Sequence, residues 1–141
     1  MNIHGIAALI GDIRANIDRF LVRELKRRGI EGMAPSHGAI LFHLFAREDA
    51  SMTELAKAVR RDKSTVTALV AKLIASGYVE KIEPRSDRRS VGIRLTSAGR
   101  AFEPIFREIS ERLLEKVTAG VGDAEQREVM RILLKIRSNT E

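Results

Sequence analysis

Small and hydrogen-bonding side chains line one side of the segment 63–75, which is predicted to be a helix. At about 100° per residue, four apolar residues fall within about 100° of arc and should face a core: Val66, Leu69, Val70 and Leu73. The opposite side carries Ser64, Ala68, Ala71 and Ala75, flanked by Thr65, Thr67 and Lys72. A solvated helix surface normally carries long Glu, Lys and Gln side chains, whereas small side chains let the backbone approach another surface.

This small-residue side of the helix favours contact with DNA. In a major groove, Ser and Thr hydroxyls reach base edges, and Thr or Ala methyl groups contact thymine. Asp62 is suited to cap the helix N-terminus, and the free N–H groups beside Lys63 and Ser64 favour an anion such as phosphate. Packing against another protein helix is the alternative interpretation.

A second candidate cluster lies in PRSDRRSVGIRLT, residues 84–96, where arginines surround one aspartate. Arg85, Arg88 and Arg89 have the charge and the length to enter a DNA minor groove, whose potential is most negative where A·T pairs narrow it. Asp87 would be repelled by phosphates, so we expect it to pair with a neighbouring arginine and fix its direction. A charge-balanced surface turn is the alternative.

The net charge is concentrated in the part of the chain that holds both clusters. The protein has 25 Lys and Arg against 19 Asp and Glu, a net charge of +6. Residues 57–94 contain ten of the basic and four of the acidic residues, an excess of six, so the remainder of the chain is balanced. A basic block in a neutral frame suggests a polyanionic partner, and a well-solvated surface region is the alternative.

The elements that must position these residues are mainly helices with one small β-hairpin, in the order α-α-α-α-β-β-α-α. Pro35 and Ser36 suit the start of the second helix, and Ser51 with Glu54 forms a capping box for the third. The first helix ends at Gly29. It carries a stripe at alternating spacings of three and four that needs covering by this chain or by a second one: Ile3, Ile6, Ile10, Ile13, Ile17 and Phe20.

The C-terminal half is predicted to contain the hairpin and two further helices. Residues 78–84 and 90–96 are the two strands, and the second strand alternates Val91, Ile93 and Leu95. Thr96 is suited to cap a helix over 97–118. A last helix over 123–137 has four apolar residues at helical spacing that should be buried: Val129, Ile132, Leu133 and Ile136.

The composition excludes several classes of protein. A chain of 141 residues suits one ordinary domain. The absence of cysteine excludes disulfides and thiolate metal sites. No apolar run approaches the roughly 18 residues of a membrane span, and the N-terminus lacks the basic region of a signal peptide. We therefore expect a cytoplasmic protein that is not associated with membranes.

The sequence also lacks the patterns of a catalytic or metal centre. His37 and His43 lie about 120° apart on one predicted helix, which does not suit a pair of ligands. There is no Gly-rich phosphate loop, no H-E-x-x-H and no nucleophile with an evident base. We expect neither an enzyme nor a bound metal or cofactor.

Residues 51–99 resemble the winged helix-turn-helix of MarR-type transcriptional regulators. The agreement comprises D-K-S-T-V-T at 62–67, L-x-x-x-G-Y-V at 73–79, the D-x-R wing at 87–89 and a closing L-T-x-x-G at 95–99. The long first helix and the two C-terminal helices resemble the dimerisation region of this family. The resemblance therefore spans the whole chain.

The resemblance implies a homodimer that binds double-stranded DNA at a pseudopalindromic operator. Residues 1–32 and 97–141 would form the helical dimerisation region, and residues 33–96 the DNA-binding module, within one compact chain. Residues 62–72 would enter the major groove. The expected function is that of a sequence-specific repressor that a small ligand releases from DNA. The alternative is a winged-helix module that assembles with proteins and does not bind DNA.

The resemblance also assigns roles at the wing. Arg89 would enter the minor groove with Asp87 orienting it, and Arg88 would lie near phosphate. Many relatives bind small aromatic acids or lipophilic anions as effectors, but the sequence does not indicate which residues would do so here. The full set of expected DNA-binding residues is Ser36, Arg61, Lys63, Ser64, Thr65, Thr67, Ala68, Lys72, Arg85, Asp87, Arg88 and Arg89.

Overall fold

The computed structural model describes residues 2–84 and 90–141, and the fold is mainly helical with a small antiparallel sheet, as predicted. A 3₁₀ turn, Ile3–Gly5, precedes the first helix. The helices are α1 (Ile6–Arg27), α2 (Pro35–Phe45), α3 (Met52–Val59), α4 (Lys63–Ala75), α5 (Ser97–Arg100), α6 (Glu103–Thr118) and α7 (Asp123–Thr140). The strands are β1 (Ala50–Ser51), β2 (Val79–Ile82) and β3 (Gly92–Leu95). No helix in the described ranges is both long and apolar enough to cross a membrane.

The chain divides into two compact units, Met1–Ile109 and Ser110–Glu141. In the first unit, α2, α3, α4 and β3 supply the most deeply buried side chains, and these form its core: Ile40, Leu41, Leu44, Leu55, Val66, Val70 and Ile93. In the second unit, Glu125 accepts a hydrogen bond from the backbone N–H of Gly122 at 2.8 Å and so caps α7. The assignment of 1–32 and 97–141 to a common dimerisation region stays a prediction.

The sheet has a strand that the sequence pattern does not indicate. β3 lies in the middle and pairs antiparallel with both neighbours, in the order β1-β3-β2. Ala50 is opposite Ile93, and Glu80 is opposite Arg94. The sequence predicts only the β2–β3 hairpin, because β1 has two residues and is too short to show alternation. This short strand joins the start of α3 to the hairpin.

The helix predicted over 97–118 is two helices instead of one. α5 ends at Arg100, and the N–H of its C-cap Ala101 donates to the Gly99 and Ser97 carbonyls; α6 begins at Glu103. Between them, the Phe102 ring packs edge-on against Tyr78, with 4.7 Å between ring centroids. Helical periodicity continues through this step, so the apolar pattern alone does not indicate it.

The second predicted strand is shorter in the structure, and the predicted burial of the α7 stripe is wrong for the single chain. Val91 precedes β3 and is 42% exposed, so the buried alternation covers Ile93 and the half-buried Leu95 only. α7 has no buried residue, although its predicted core stripe is at the right helical spacing. A periodic apolar stripe indicates that a surface needs covering, but not which chain covers it.

Candidate nucleic-acid interface

The turn between α3 and α4 is tight because Arg60 adopts a left-handed conformation. Its φ of 55° is the one positive value at a non-glycine residue of the described chain. The backbone N–H groups of Arg60 and Arg61 both donate to the carbonyl of Ala56, the latter at 3.2 Å. This pattern ends α3 and starts α4 within three residues. The sequence indicates a turn here, but glycine is the residue usually expected at such a φ.

The N-terminus of α4 is capped by Asp62, as predicted. Its Oδ1 accepts hydrogen bonds from the backbone N–H of Thr65 at 2.6 Å and from the hydroxyl of Ser64 at 3.1 Å. The hydrogen bonds from Thr65, and then that from Ser64, lower the pKa of Asp62 below its ordinary value. The carboxylate is therefore occupied with the helix start, and Lys63 and Ser64 stand exposed on the first turn.

The two sides of α4 are those that the helical wheel predicts. Val66, Val70 and Leu73 are buried, and Leu69 is half-buried. Thr65 is half-buried at the edge of the opposite side, whose other members are exposed: Ser64, Thr67, Ala68, Ala71, Lys72 and Ala75. The hydroxyl of Thr67 donates to the Lys63 carbonyl at 2.8 Å, which leaves its oxygen as an acceptor. The exposed side of α4 therefore carries mainly short side chains, which present hydrogen-bond acceptors and methyl groups.

A side-chain contact links the start of α2 to the turn before α4. An Nη of Arg61 donates to the hydroxyl of Ser36 at 3.1 Å. Ser36 lies in the first turn of α2, and Arg61 immediately precedes the cap of α4. Two of the predicted site residues, 25 positions apart, are therefore brought together beside the helix N-terminus.

Of the predicted site residues on α4, Lys72 lies farthest along the helix from this cluster. It is in the last turn of α4, and its Nζ donates to the carbonyl of Gly32 at 2.9 Å. Gly32 belongs to the segment between α1 and α2 and has a φ of +74°. Sequence reasoning missed this contact, because nothing local pairs a lysine with a carbonyl 40 residues earlier.

The base of the wing is held by a cross-strand ion pair. Arg94 Nε and Glu80 Oε1 are 2.7 Å apart, on directly opposite residues of β3 and β2. One cation of the basic block is therefore paired within the protein. The predicted tip residues Arg85, Asp87, Arg88 and Arg89 lie outside the described residues.

The L-T-x-x-G stretch, which begins at the last residue of β3, packs closely against the backbone of Tyr78. Thr96 caps α5 by accepting the N–H of Gly99 at 3.2 Å, and its own N–H donates to the Tyr78 carbonyl at 3.1 Å. A Cβ on Gly99 would lie 2.0 Å from that same carbonyl oxygen. Glycine is required here by the approach of two backbones, which fixes the hairpin against α5.

His37 has a structural role that the sequence pattern does not reveal. It is buried in the first turn of α2, and its Nδ1 accepts the backbone N–H of Ala34 at 3.1 Å. Burial, and to a lesser degree the charge of Lys72, lowers the pKa of His37. The spacing after Pro35 places His37 at the third helical position, where a capping acceptor is common. Within the described ranges no cluster of His and carboxylate residues could hold a metal ion.

A groove in the first unit lies between α1 and the start of α2. It has a volume of about 370 Å³ and is lined by Asp18, Arg19, Val22, Arg23 and Pro35. Arg14 pairs with Asp18 at 3.2 Å. The lining therefore combines two arginines and one carboxylate with the apolar surface of Val22 and Pro35.

Comparison with known proteins gives matches over both the module and the whole chain. A model of the MarR family matches residues 31–90. The HTH-type transcriptional regulator YdgJ of Bacillus subtilis, itself uncharacterized, is 27% identical over 115 residues, which is 82% of this chain and 70% of YdgJ.

Two solved structures share the fold. The S. aureus MepR–DNA complex has a TM-score of 0.85 at 20% identity and covers 95% of this chain and 97% of that one. Bordetella bronchiseptica BpsR, whose DNA binding is regulated by 6-hydroxynicotinic acid, has a TM-score of 0.81 at 20% identity and covers 94% and 92%. Together with the helix-turn-helix geometry, these findings show that residues 31–90 match the MarR family and that the chain shares the fold of these solved structures.

Proposed function

We propose that the protein regulates transcription by binding a pseudopalindromic DNA operator as a homodimer, with α4 of each copy in a major groove. The observation that carries this proposal is the exposed first half of α4. Small hydroxyl-bearing and methyl side chains adjoin Lys63 at a helix N-terminus, which attracts phosphate. Ser36 and Arg61 lie beside that N-terminus and are proposed to contact the phosphate backbone of the DNA.

The wing completes the proposed interface. Arg85, Asp87, Arg88 and Arg89 are proposed as DNA-binding residues, with Arg89 in the minor groove. Support comes from the described strands on either side of these residues, β2 and β3, which pair antiparallel and are joined by the ion pair between Arg94 and Glu80. The MepR structure is itself a DNA complex of the same fold.

The proposed dimer is supported by exposed apolar side chains on the terminal helices. On α1 of the first unit, Ile6, Leu9, Ile10 and Ile13 are exposed. In the second unit, Leu114 is 63% exposed, and α7 exposes five large apolar residues: Val129, Met130, Ile132, Leu133 and Leu134. Patches of this kind on a folded chain mark interaction surfaces, and a second copy offers the same surface for a symmetric contact.

We further propose that a small aromatic or lipophilic anion releases the protein from its operator. The groove lined by Asp18, Arg19, Val22, Arg23 and Pro35 supports this proposal, because it offers apolar surface and two cations against one carboxylate. BpsR, with the same fold, responds to 6-hydroxynicotinic acid. We propose that the bound protein represses transcription, because occupation of the operator would block it. The proposed location is the cytoplasm, where the protein would meet the DNA.

A salt titration tests DNA binding against the alternative, a module that assembles with proteins only. The probe is the duplex most enriched by the protein from a random-sequence library. A DNA regulator should lose affinity as salt rises, with a log–log slope of about −0.9 per phosphate contact. Lys63→Met should flatten the slope by about 0.9, whereas Lys135→Met on α7 should not change it. Failure to bind any duplex at low salt would contradict the proposed function.

A further inference from the structure

Lys72 is directed at the protein's own backbone. Its Nζ lies 2.9 Å from the Gly32 carbonyl oxygen, in the segment that joins α1 to α2. At about 1.5 Å of rise per residue, Lys72 is about 13 Å along α4 from Lys63. It is therefore at the opposite end of the helix from the capped N-terminus that carries the proposed phosphate contacts.

The acceptor of this hydrogen bond is held from both sides. Before it, the N–H of Ile30 bonds to the Leu25 carbonyl at 2.9 Å and closes the end of α1. After it, Met33 is buried and His37 binds the N–H of Ala34 at 3.1 Å. Because the Gly32 carbonyl lies between two anchored points, the hydrogen bond from Lys72 restrains the position of α4.

The end of α1 is itself tied to the start of α6. Glu24, only 3% exposed, pairs with Arg28 at 2.6 Å, and Arg28 also contacts Glu108 at 2.8 Å. Arg28 lies four residues before Gly32. The end of α1, which directly precedes the segment that Lys72 reaches, is therefore fixed to α6 within the first unit.

We propose that Lys72 is a positioning residue, whose hydrogen bond to Gly32 orients α4 against the α1–α2 segment so that its first turns fit the operator, and that it is not a phosphate contact. This inference rests on the proposed DNA-binding function. It differs from the role expected from the sequence, in which Lys72 is one of the DNA-binding residues.

The two roles predict different losses on DNA. A phosphate contact contributes to every duplex, whereas correct orientation of α4 matters only for base contacts. Lys72→Met should weaken binding to the enriched duplex by about fivefold, the size of one net hydrogen bond, and leave both the salt slope and binding to an unrelated duplex unchanged. Lys63→Met is the matched comparison and should weaken both duplexes and flatten the slope. Equal losses on both duplexes for Lys72→Met would overturn the proposal.

A measurement without DNA tests whether the Lys72 ammonium lies beside the α1–α2 segment, as the contact requires. The Lys72 ammonium contributes to the lowered pKa of His37. A proton NMR titration should therefore show the His37 pKa rising in Lys72→Met and staying low in Lys72→Arg, which keeps the charge and a donor. Lys72→Arg should also restore binding to the enriched duplex. An unchanged His37 pKa in Lys72→Met would overturn the proposed contact, while absence of binding to any duplex would instead contradict the proposed function.

Discussion

Gly99 is the described glycine at which an added Cβ would meet the nearest neighbouring atom. A Cβ there would lie 2.0 Å from the Tyr78 carbonyl oxygen, and that oxygen already accepts the N–H of Thr96. Gly99→Ala must displace one of two hydrogen-bonded backbones, so we expect a loss of about 2–3 kcal/mol in the free energy of unfolding. Urea denaturation measures it. Ser97→Ala, an exposed neighbour in α5, is the control and should change it by less than about 0.5 kcal/mol.

Arg60 stores backbone strain at the turn that sets the direction of α4. A left-handed conformation costs an L-residue about 1–2 kcal/mol, and Arg60 has a φ of 55°. Arg60→Gly should therefore raise the free energy of unfolding by about 0.5–1 kcal/mol, after the greater freedom of glycine in the unfolded chain is counted. Thermal and urea denaturation give the value.

Arg60→Ala separates strain from loss of the side chain. Alanine keeps the Cβ and hence the strain, so this variant should gain nothing. A gain of equal size in both variants would mean that the arginine side chain, and not the backbone, is unfavourable at this turn.

At the scale of elements, the N-terminus of α2 depends on a titratable cap. His37 accepts the Ala34 N–H through Nδ1, and its pKa is lowered by burial and then by Lys72 on α4. The unfolded chain therefore takes up the proton first as pH falls. The stabilisation that the neutral His37 contributes is complete above the pKa of histidine in the unfolded chain, about 6.5. It is lost as the pH falls through the lower pKa of His37 in the folded protein.

His37→Gln isolates this effect. Glutamine at the third helical position can accept the same N–H without titrating. We expect similar stability to the parent at pH 7.5 and a smaller loss between pH 7 and pH 5, measured by urea denaturation at each pH. His43, whose pKa burial also lowers, remains in both proteins and accounts for a shared background. Parallel pH curves for the two proteins would contradict this role of His37.

The helix starts are the part of the fold that sequence reasoning predicts best. Ser51, Asp62 and Thr96 are predicted caps and each is confirmed, because a cap bonds to a backbone group only three residues away. The exposure of the small-residue side of α4 is also confirmed, because it follows from the helical spacing of residues within one short segment. Contacts between distant segments, such as that of Lys72 with Gly32, have no local signature and were missed. Strand β1 was missed because it exists only through its pairing with β3.

At the scale of the whole molecule, the apolar stripes of the terminal helices are correctly identified from sequence, but what covers them is not. The sequence predicts that α7 buries its stripe, whereas Val129, Ile132 and Leu133 are 41–48% exposed in the single chain. Helical periodicity reports the need for a partner surface and carries no information about whether that surface belongs to the same chain. Oligomeric state must therefore be measured.

Leu133→Glu tests the proposed dimer and its link to DNA binding. In a symmetric interface the change removes two leucines, each contributing about 1.5–3 kcal/mol of burial, and inserts two carboxylates. The dimer Kd should rise by at least about a hundredfold, as measured by sedimentation equilibrium, whereas Lys135→Glu two residues away should leave it nearly unchanged. A monomer carries one module and loses the effective concentration that links two half-sites, so Leu133→Glu should also bind the full operator weakly while binding an isolated half-site as the parent does. A parent protein that is monomeric at micromolar concentration, or a variant that still dimerises, would show that α7 does not form the interface.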